Sequence, residues 1–145
     1  MFRAMTQGQL LARGVCRHFH SLDIACLTEV VPSRGLRVDV MALDAKGAVW
    51  IVECKSSRAD FRADRKWRGY LPWCDRYFWA VDADFPEHLL PDESGLIRAD
   101  GYGAAILREG PHQPLAAARR KALTLRFARA AAFRAARALD LTGDL

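Results

Sequence analysis

A mixed α/β sheet flanked by helices is the fold that the sequence predicts. Apolar runs rich in Val, Ile and Trp alternate with stretches of helical periodicity. Only "DAKG" separates "GLRVDVMAL" from "AVWIVEC", and a helical stretch stands between the latter and the aromatic run "DRYFWAV". A short connection makes antiparallel neighbours, whereas a helix between strands permits a crossover to a parallel partner. The 145 residues, 51% apolar and without linker or internal repeat, are expected to form one domain over 1–145.

Thr6 followed by Gln9 reads as a capping box, and Leu11, Val15, Phe19 and Leu22 recur at helical spacing, so a first amphipathic helix is expected over about 6–20. "CLTEVVP" follows as a short strand closed by Pro32. "GLRVDVMAL" and "AVWIVEC" then form a hairpin. Ser57 with Asp60 gives a second capping box, and Ala63, Trp67, Tyr70 and Leu71 give an apolar helical stripe that Pro72 stops or bends near its end. "DRYFWAV" is a central strand, "DADFPEHLLPDESG" a loop with one turn of helix, and "GLIRAD" and "GYGAAILR" are two short strands. A long Ala/Arg helix closes the chain over about 115–141.

Basic residues outnumber acidic ones by 22 to 17, which favours a polyanionic partner such as nucleic acid. The Arg and Ala bias of a GC-rich genome would produce the same excess, so charge alone carries little. No apolar run approaches the roughly 18 residues of a membrane span, and the start is too poor in apolar residues for a signal peptide, so a cytoplasmic protein is expected. Cys16, Cys26, Cys54 and Cys74 form no C-x-x-C pair and read as reduced, mostly buried thiols. Cys16 and His20, with Cys26 or His18, lack a recognisable metal-ligand spacing and read as helix-face packing and surface histidines.

The third strand ends in Glu53, Cys54 and Lys55 without a turn signal. If "DAKG" forms a type I turn with Gly47 left-handed, the loop 45–47 pairs Asp44 with Ala48 and sets Asp39 opposite Glu53, with Cβ atoms about 5 Å apart. A two-residue turn would shift the register by one and put Asp39 on the opposite face. Lys55 shares the face of Glu53, while Cys54 points the other way. Two carboxylates that close repel by about 3 kcal/mol at an effective dielectric of about 20. Lys55 can offset one charge, and a divalent cation such as Mg²⁺, which takes one or two carboxylates plus waters and phosphate oxygens, can offset the rest. Such a constellation suits metal-assisted phosphodiester hydrolysis. The competing reading is a solvated Glu53–Lys55 pair with Asp39 an independent edge residue.

"RVDVMAL", "VWIVECKSS", "DFRADRKWRGYLPWCDRYFWAV" and "GLIRADGYGAAILR", in this order and spacing, closely resemble the MmcB-type bacterial DNA repair proteins of the PD-(D/E)XK nuclease superfamily. The match runs from Glu29 to Arg108, more loosely through both outer helices. The resemblance implies a restriction-endonuclease-like core of helix, three strands, helix and strand. It further implies that Asp39 and Glu53 bind Mg²⁺, with Mn²⁺ a substitute, that the Cys54 carbonyl adds a ligand, and that Lys55 assists the attacking water. The family's usual Pro before the first acid is Val38 here. Lys66 and Tyr70 resemble the Gln-x-x-x-Tyr element of some superfamily nucleases, with Lys for Gln; a surface Lys and a core Tyr would give the same spacing. Glu29 resembles an additional acid of some relatives, and could equally cap its strand or pair with Arg37.

Arg58, Arg62, Arg65, Lys66 and Arg68 crowd the helix after the Glu53–Lys55 strand, tempered by Asp60 and Asp64, with Arg58 and Arg62 favoured for flanking phosphates. On the last helix Arg119, Arg126 and Arg137 form a stripe, but Phe133 lies only about 40° away, which favours a packing helix with a partly basic outer surface. The expected function is a Mg²⁺-dependent DNA nuclease acting in repair. Homodimerisation and contacts with other repair proteins are further expectations. A non-catalytic DNA-binding or adaptor module on the same fold is the alternative, and no residue excludes RNA as substrate.

Overall fold

Capping chemistry starts the first helix where the sequence places it. Thr6 Oγ1 accepts from the Gln9 N–H at 3.1 Å and Gln9 Oε1 accepts from the Thr6 N–H at 2.9 Å, opening α1 (Gln7–Ser21). The computed structural model describes residues 4–63 and 66–143. After α1 come β1 (Ala25–Ser33), β2 (Leu36–Leu43), β3 (Val49–Cys54), α2 (Arg58–Ala63), a 3-10 helix over Trp67–Trp73, β4 (Arg76–Val81), a short 3-10 turn over Glu87–Leu89, β5 (Gly95–Ala99), β6 (Ala104–Arg108) and α3 (Ala117–Thr142).

One six-stranded sheet holds the strands in chain order. β3 runs parallel to β4 and β4 to β5, and the other neighbours are antiparallel. This is the mixed α/β sheet flanked by helices that the sequence predicts, with the element order of a restriction-endonuclease-like core. On one face Leu11, Val15 and Phe19 of α1 pack on Val40, Trp50, Val52 and Phe78. On the other, Leu123 and Phe127 of α3 and Trp67 pack with Met41, Ile51, Tyr77 and Trp79. Covered on both sides, β3 is buried along its whole length, which explains its unbroken apolar run.

The turn between β2 and β3 has the geometry that sets the register. Asp44 N–H donates to Ala48 O at 3.1 Å, Gly47 N–H donates to Asp44 O at 3.0 Å, and Gly47 sits at φ +87°. Asp44 Oδ1 accepts from the Lys46 and Ala48 amides at 2.9 Å each, and its Oδ2 accepts from Trp50 Nε1 at 3.2 Å, so one side chain fastens the turn. The pairs Val40↔Val52, Met41↔Ile51, Ala42↔Trp50 and Leu43↔Val49 follow, the register that leads to Asp39 and Glu53.

Two expectations need correction. Pro32 does not close β1, which continues to Ser33; as an edge strand β1 tolerates a residue without an N–H. The second helix is not one amphipathic α-helix but the six-residue α2 followed by the 3-10 helix Trp67–Trp73, with Pro72 inside it. A 3-10 helix eclipses residues three apart, so Trp67, Tyr70 and Trp73 share one face, where all three pack on the cluster around Tyr77 and Trp79. That aromatic spacing, together with Gly69 and Pro72, outweighs the 3.6-residue stripe. The Asp60 side chain of the expected capping box lies outside the described residues.

Asp75, only 1% exposed, ties three parts of the chain together. Its Oδ2 accepts from the Val49 N–H at 2.7 Å and Arg120 Nη1 at 2.6 Å; its Oδ1 accepts from the Leu115 N–H at 2.9 Å and Arg120 Nη2 at 2.6 Å. The start of β3, the segment before α3 and α3 itself thus meet on one carboxylate. Burial alone would raise its pKa, but the bidentate guanidinium and the two amides bring it below the usual carboxylate range. Among the described residues no helix is long and apolar enough to cross a membrane.

A depressed folded-state pKa contributes stability in full above the unfolded value, near 4, and that stability is lost as the pH falls through the folded value. Asp75→Asn is expected to cost about 3 kcal/mol at neutral pH, because it leaves Arg120 without its counter-charge. Urea denaturation of both proteins from pH 7 downward checks it. The difference shrinks below about pH 4 as the wild-type carboxyl takes up its own proton.

Candidate functional site

β2 and β3 part at the end far from their turn. Their ladder ends at Val40↔Val52, and the next facing residues are Asp39 and Glu53. In a continued antiparallel ladder the Cys54 N–H would bond the Val38 carbonyl. Instead it donates to Asp39 Oδ2 at 2.8 Å, and the Asp39 N–H donates to Glu53 Oε1 at 3.2 Å. Each carboxylate therefore commits one oxygen to the main chain of the opposing strand, in place of the ladder bonds.

The strands also roll at this point. Val38 belongs to the core cluster facing α3, whereas Val40, two residues on, belongs to the one facing α1. Across from Asp39 on the other side, between the pairs Thr28↔Val40 and Val30↔Val38, Glu29 takes a left-handed φ of +52°. A non-glycine residue there stores about 1–2 kcal/mol of strain. Arg134 of α3 holds it by donating to the Glu29 carbonyl at 3.2 Å. Glu29, Asp39 and Glu53 thus occupy facing positions on three adjacent strands, with the Glu29 side chain exposed. Among the described residues no three His, Cys, Asp or Glu side chains gather into a ready metal-ligand cluster, so the converging acids here are Asp39 and Glu53.

Glu53 is 5% exposed. Burial first, then the charge of Asp39 and a hydrogen bond between the two carboxyl groups, push its pKa up to about 9, against the opposing pull of the Asp39 amide and the Lys55 ammonium. Without a cation the pair carries a proton at neutral pH. Lys55 Nζ lies 5.8 Å from the ring centroid of Trp79, whose Cα pairs with that of Glu53 across β3 and β4. The Cys54 side chain is turned into the cluster facing α1, leaving its main-chain carbonyl as the group it can offer a metal.

The remaining candidates are placed as follows. Lys66 is exposed at the start of the 3-10 helix; at three residues per turn it and Tyr70 stand about 120° apart rather than on one face. The Tyr70 hydroxyl donates to the Arg37 carbonyl at 3.2 Å, and its ring stacks on Tyr77. Arg58 is exposed at the first position of α2, while the Arg62 side chain and Arg65 lie outside the described residues. Arg68 is engaged by Glu93 at 2.9 Å and by the Trp67 ring. On α3, Arg119 and Arg126 donate to the Pro72 and Val31 carbonyls, so this is the packing helix expected. Cys16 and Cys26 are half-buried thiols, and Cys26 Sγ donates to the Ile24 carbonyl at 3.8 Å.

One feature escaped the sequence altogether. A cleft of about 740 Å³ opens beside Asp39 between the first turns of α1 and the β1–β2 edge, with Arg13 and Arg37 among its lining residues. Arg13 lies on a helix and Arg37 precedes the first acid, and no spacing rule joins them.

A family model described as "DNA repair protein MmcB-like" matches residues 3–142 of the chain. A solved protein of unknown function from Silicibacter pomeroyi is 57% identical, with 97% of each chain covered and a TM-score of 0.94. No curated protein matches.

A raised carboxyl pKa stabilises the fold fully below the unfolded value, near 4, and that stability is lost as the pH rises toward about 9. Glu53→Gln keeps the shape and removes the ionisation. In the presence of a chelator its melting temperature is expected to match wild type near pH 5 and to exceed it increasingly toward pH 9. Thermal denaturation across that range checks this; an offset independent of pH would contradict it.

Proposed function

Because the chain belongs to the MmcB-like DNA repair family, we propose that it is a Mg²⁺-dependent DNA nuclease, with Mn²⁺ as an alternative cation, that hydrolyses a phosphodiester at Asp39, Glu53 and Lys55. Family membership gives the coarser statement, a role in DNA repair. The observation that carries the finer one is the cross-bonded pair of carboxylates at the β2–β3 fork, with Lys55 directly after the end of β3.

The donor set fits a small hard cation. Asp39 and Glu53 each keep one oxygen clear of the main chain, and Cys54 can add a carbonyl, which leaves room for waters and phosphate oxygens. A bound Mg²⁺ supplies a lowered water pKa and neutralises charge on the attacked phosphate. Asp39 is oriented by the Cys54 amide and Glu53 by the Asp39 amide, so both are held in place, and the proton they share would leave as a cation binds. Lys55, placed over the Trp79 ring and near Glu53, keeps its ammonium where it can orient the attacking water and stabilise developing charge. Arg58 and Arg62, on the helix that follows, would hold flanking phosphates. Tyr70 acts through Arg37 to steady the β2 segment entering Asp39. Glu29 supplies an additional acid beside the pair, and Lys66 a peripheral cation. A homodimer and other repair proteins remain proposed partners.

A panel of nicked, branched, gapped and single-stranded DNAs with Mg²⁺ or Mn²⁺ tests the proposal. Wild type is expected to cut at least one substrate, and Asp39→Ala and Lys55→Ala to lose at least about a hundredfold in rate with unchanged circular dichroism. Cleavage retained in both variants contradicts the assigned roles. DNA binding without cleavage by wild type would make the chain the adaptor module instead.

A further inference from the structure

The cleft beside Asp39 is built for something smaller than a duplex. Its volume of about 740 Å³ falls within the roughly 300–1,000 Å³ of small-ligand sites. A duplex, by contrast, is gripped over about 1,000 Å² or more of surface. One wall is formed by Asp39 and Cys54, so the cleft is continuous with the fork.

Its lining is mixed in charge. A phosphate-only site would be lined by cations, yet here Arg13 and Arg37 are accompanied by Glu29 and Asp39. Gln9 adds a side-chain amide; its Oε1 is occupied by the Thr6 N–H, which leaves the NH₂ as a donor. Residues carrying donors and residues carrying acceptors therefore both line the space, which suits a nucleobase edge, since guanidinium, amide and carboxylate groups read such edges. Met5 and Ala12 supply apolar surface for the face of a base.

We propose that this cleft receives one unpaired nucleotide of the DNA strand whose phosphate lies at Asp39, so that the favoured substrate has a nucleotide free to leave the helix next to the scissile bond. The inference rests on the nuclease reading and names its substrate class. A base still stacked in a duplex cannot enter a cleft of this size, whereas one from a gap, bulge or single strand enters without the cost of unpairing.

Gly8 provides the test. It lines the cleft from the first turn of α1, and among the described residues a Cβ added there meets only Thr6 Oγ1, at 4.0 Å. Gly8→Trp fills the cleft, and Gly8→Ala controls for the gain in helix propensity. Fluorescence anisotropy in chelator, without cleavage, compares a fluorescein-labelled hexathymidine, a hairpin with one bulged thymidine and the fully paired hairpin. Wild type and Gly8→Ala are expected to prefer the first two; Gly8→Trp should weaken those at least about tenfold and leave the paired hairpin within about twofold. Arg37→Ala should weaken the unpaired ligands in the same direction. Unchanged affinity for hexathymidine in Gly8→Trp, or equal loss on all three ligands, overturns the proposal. The two ideas fail separately: absence of cleavage with the binding preference intact contradicts only the nuclease, and cleavage with a preference indifferent to Gly8→Trp contradicts only the cleft.

Discussion

The register between β2 and β3 decides whether this chain has a site. One residue more or less in the turn fastened by Asp44 and Gly47 would send Asp39 to the other face, away from Glu53 and Lys55. With the register set, the strands run together to Val40↔Val52 and then separate, and the two acids meet in the gap. The fork opens because Asp39 takes the Cys54 amide that the ladder would have used. Release from the ladder also lets β2 roll, so that Val38 and Val40 serve different cores. Glu29 and its left-handed backbone mark the same roll on β1, held by an arginine of α3.

Two buried acids in this fold receive opposite treatment. Asp75 accepts hydrogen bonds from a bidentate arginine and two amides, and its charge is stabilised well inside the protein. Glu53, nearly as buried, faces another carboxylate and retains a proton up to about pH 9. The first arrangement builds structure, joining β3 to α3. The second works against stability at neutral pH, and a strand that ended in an apolar residue would avoid the cost. Buried carboxylates left under-compensated beside a lysine are characteristic of sites that complete themselves with a ligand.

Much of this was legible in the sequence, because it depends on local rules. The capping box, the three-residue turn, the alternation of β3 and the parallel crossover to β4 each follow from a few adjacent residues, and together they bring Asp39, Glu53 and Lys55 to one place. The features that were not legible depend on distant partners. Asp75 gives no local sign that Arg120, 45 positions away, will bind it. The 3-10 segment was hidden because Trp67, Tyr70 and Leu71 also satisfy a 3.6-residue stripe, and only the packing of Trp73 with them against the sheet decides between periods. Arg13 and Arg37 line one cleft only because α1 lies across the β1–β2 edge.

The proposed function depends on a cation binding where β2 and β3 part. Isothermal titration calorimetry of Mg²⁺ and Mn²⁺ into the wild-type protein and into Asp39→Asn, near neutral pH, tests that claim most directly. Saturable binding of about one ion per chain is expected, lost in the variant while its melting profile stays cooperative. Absence of binding in the wild type, or binding that Asp39→Asn leaves intact, would contradict it.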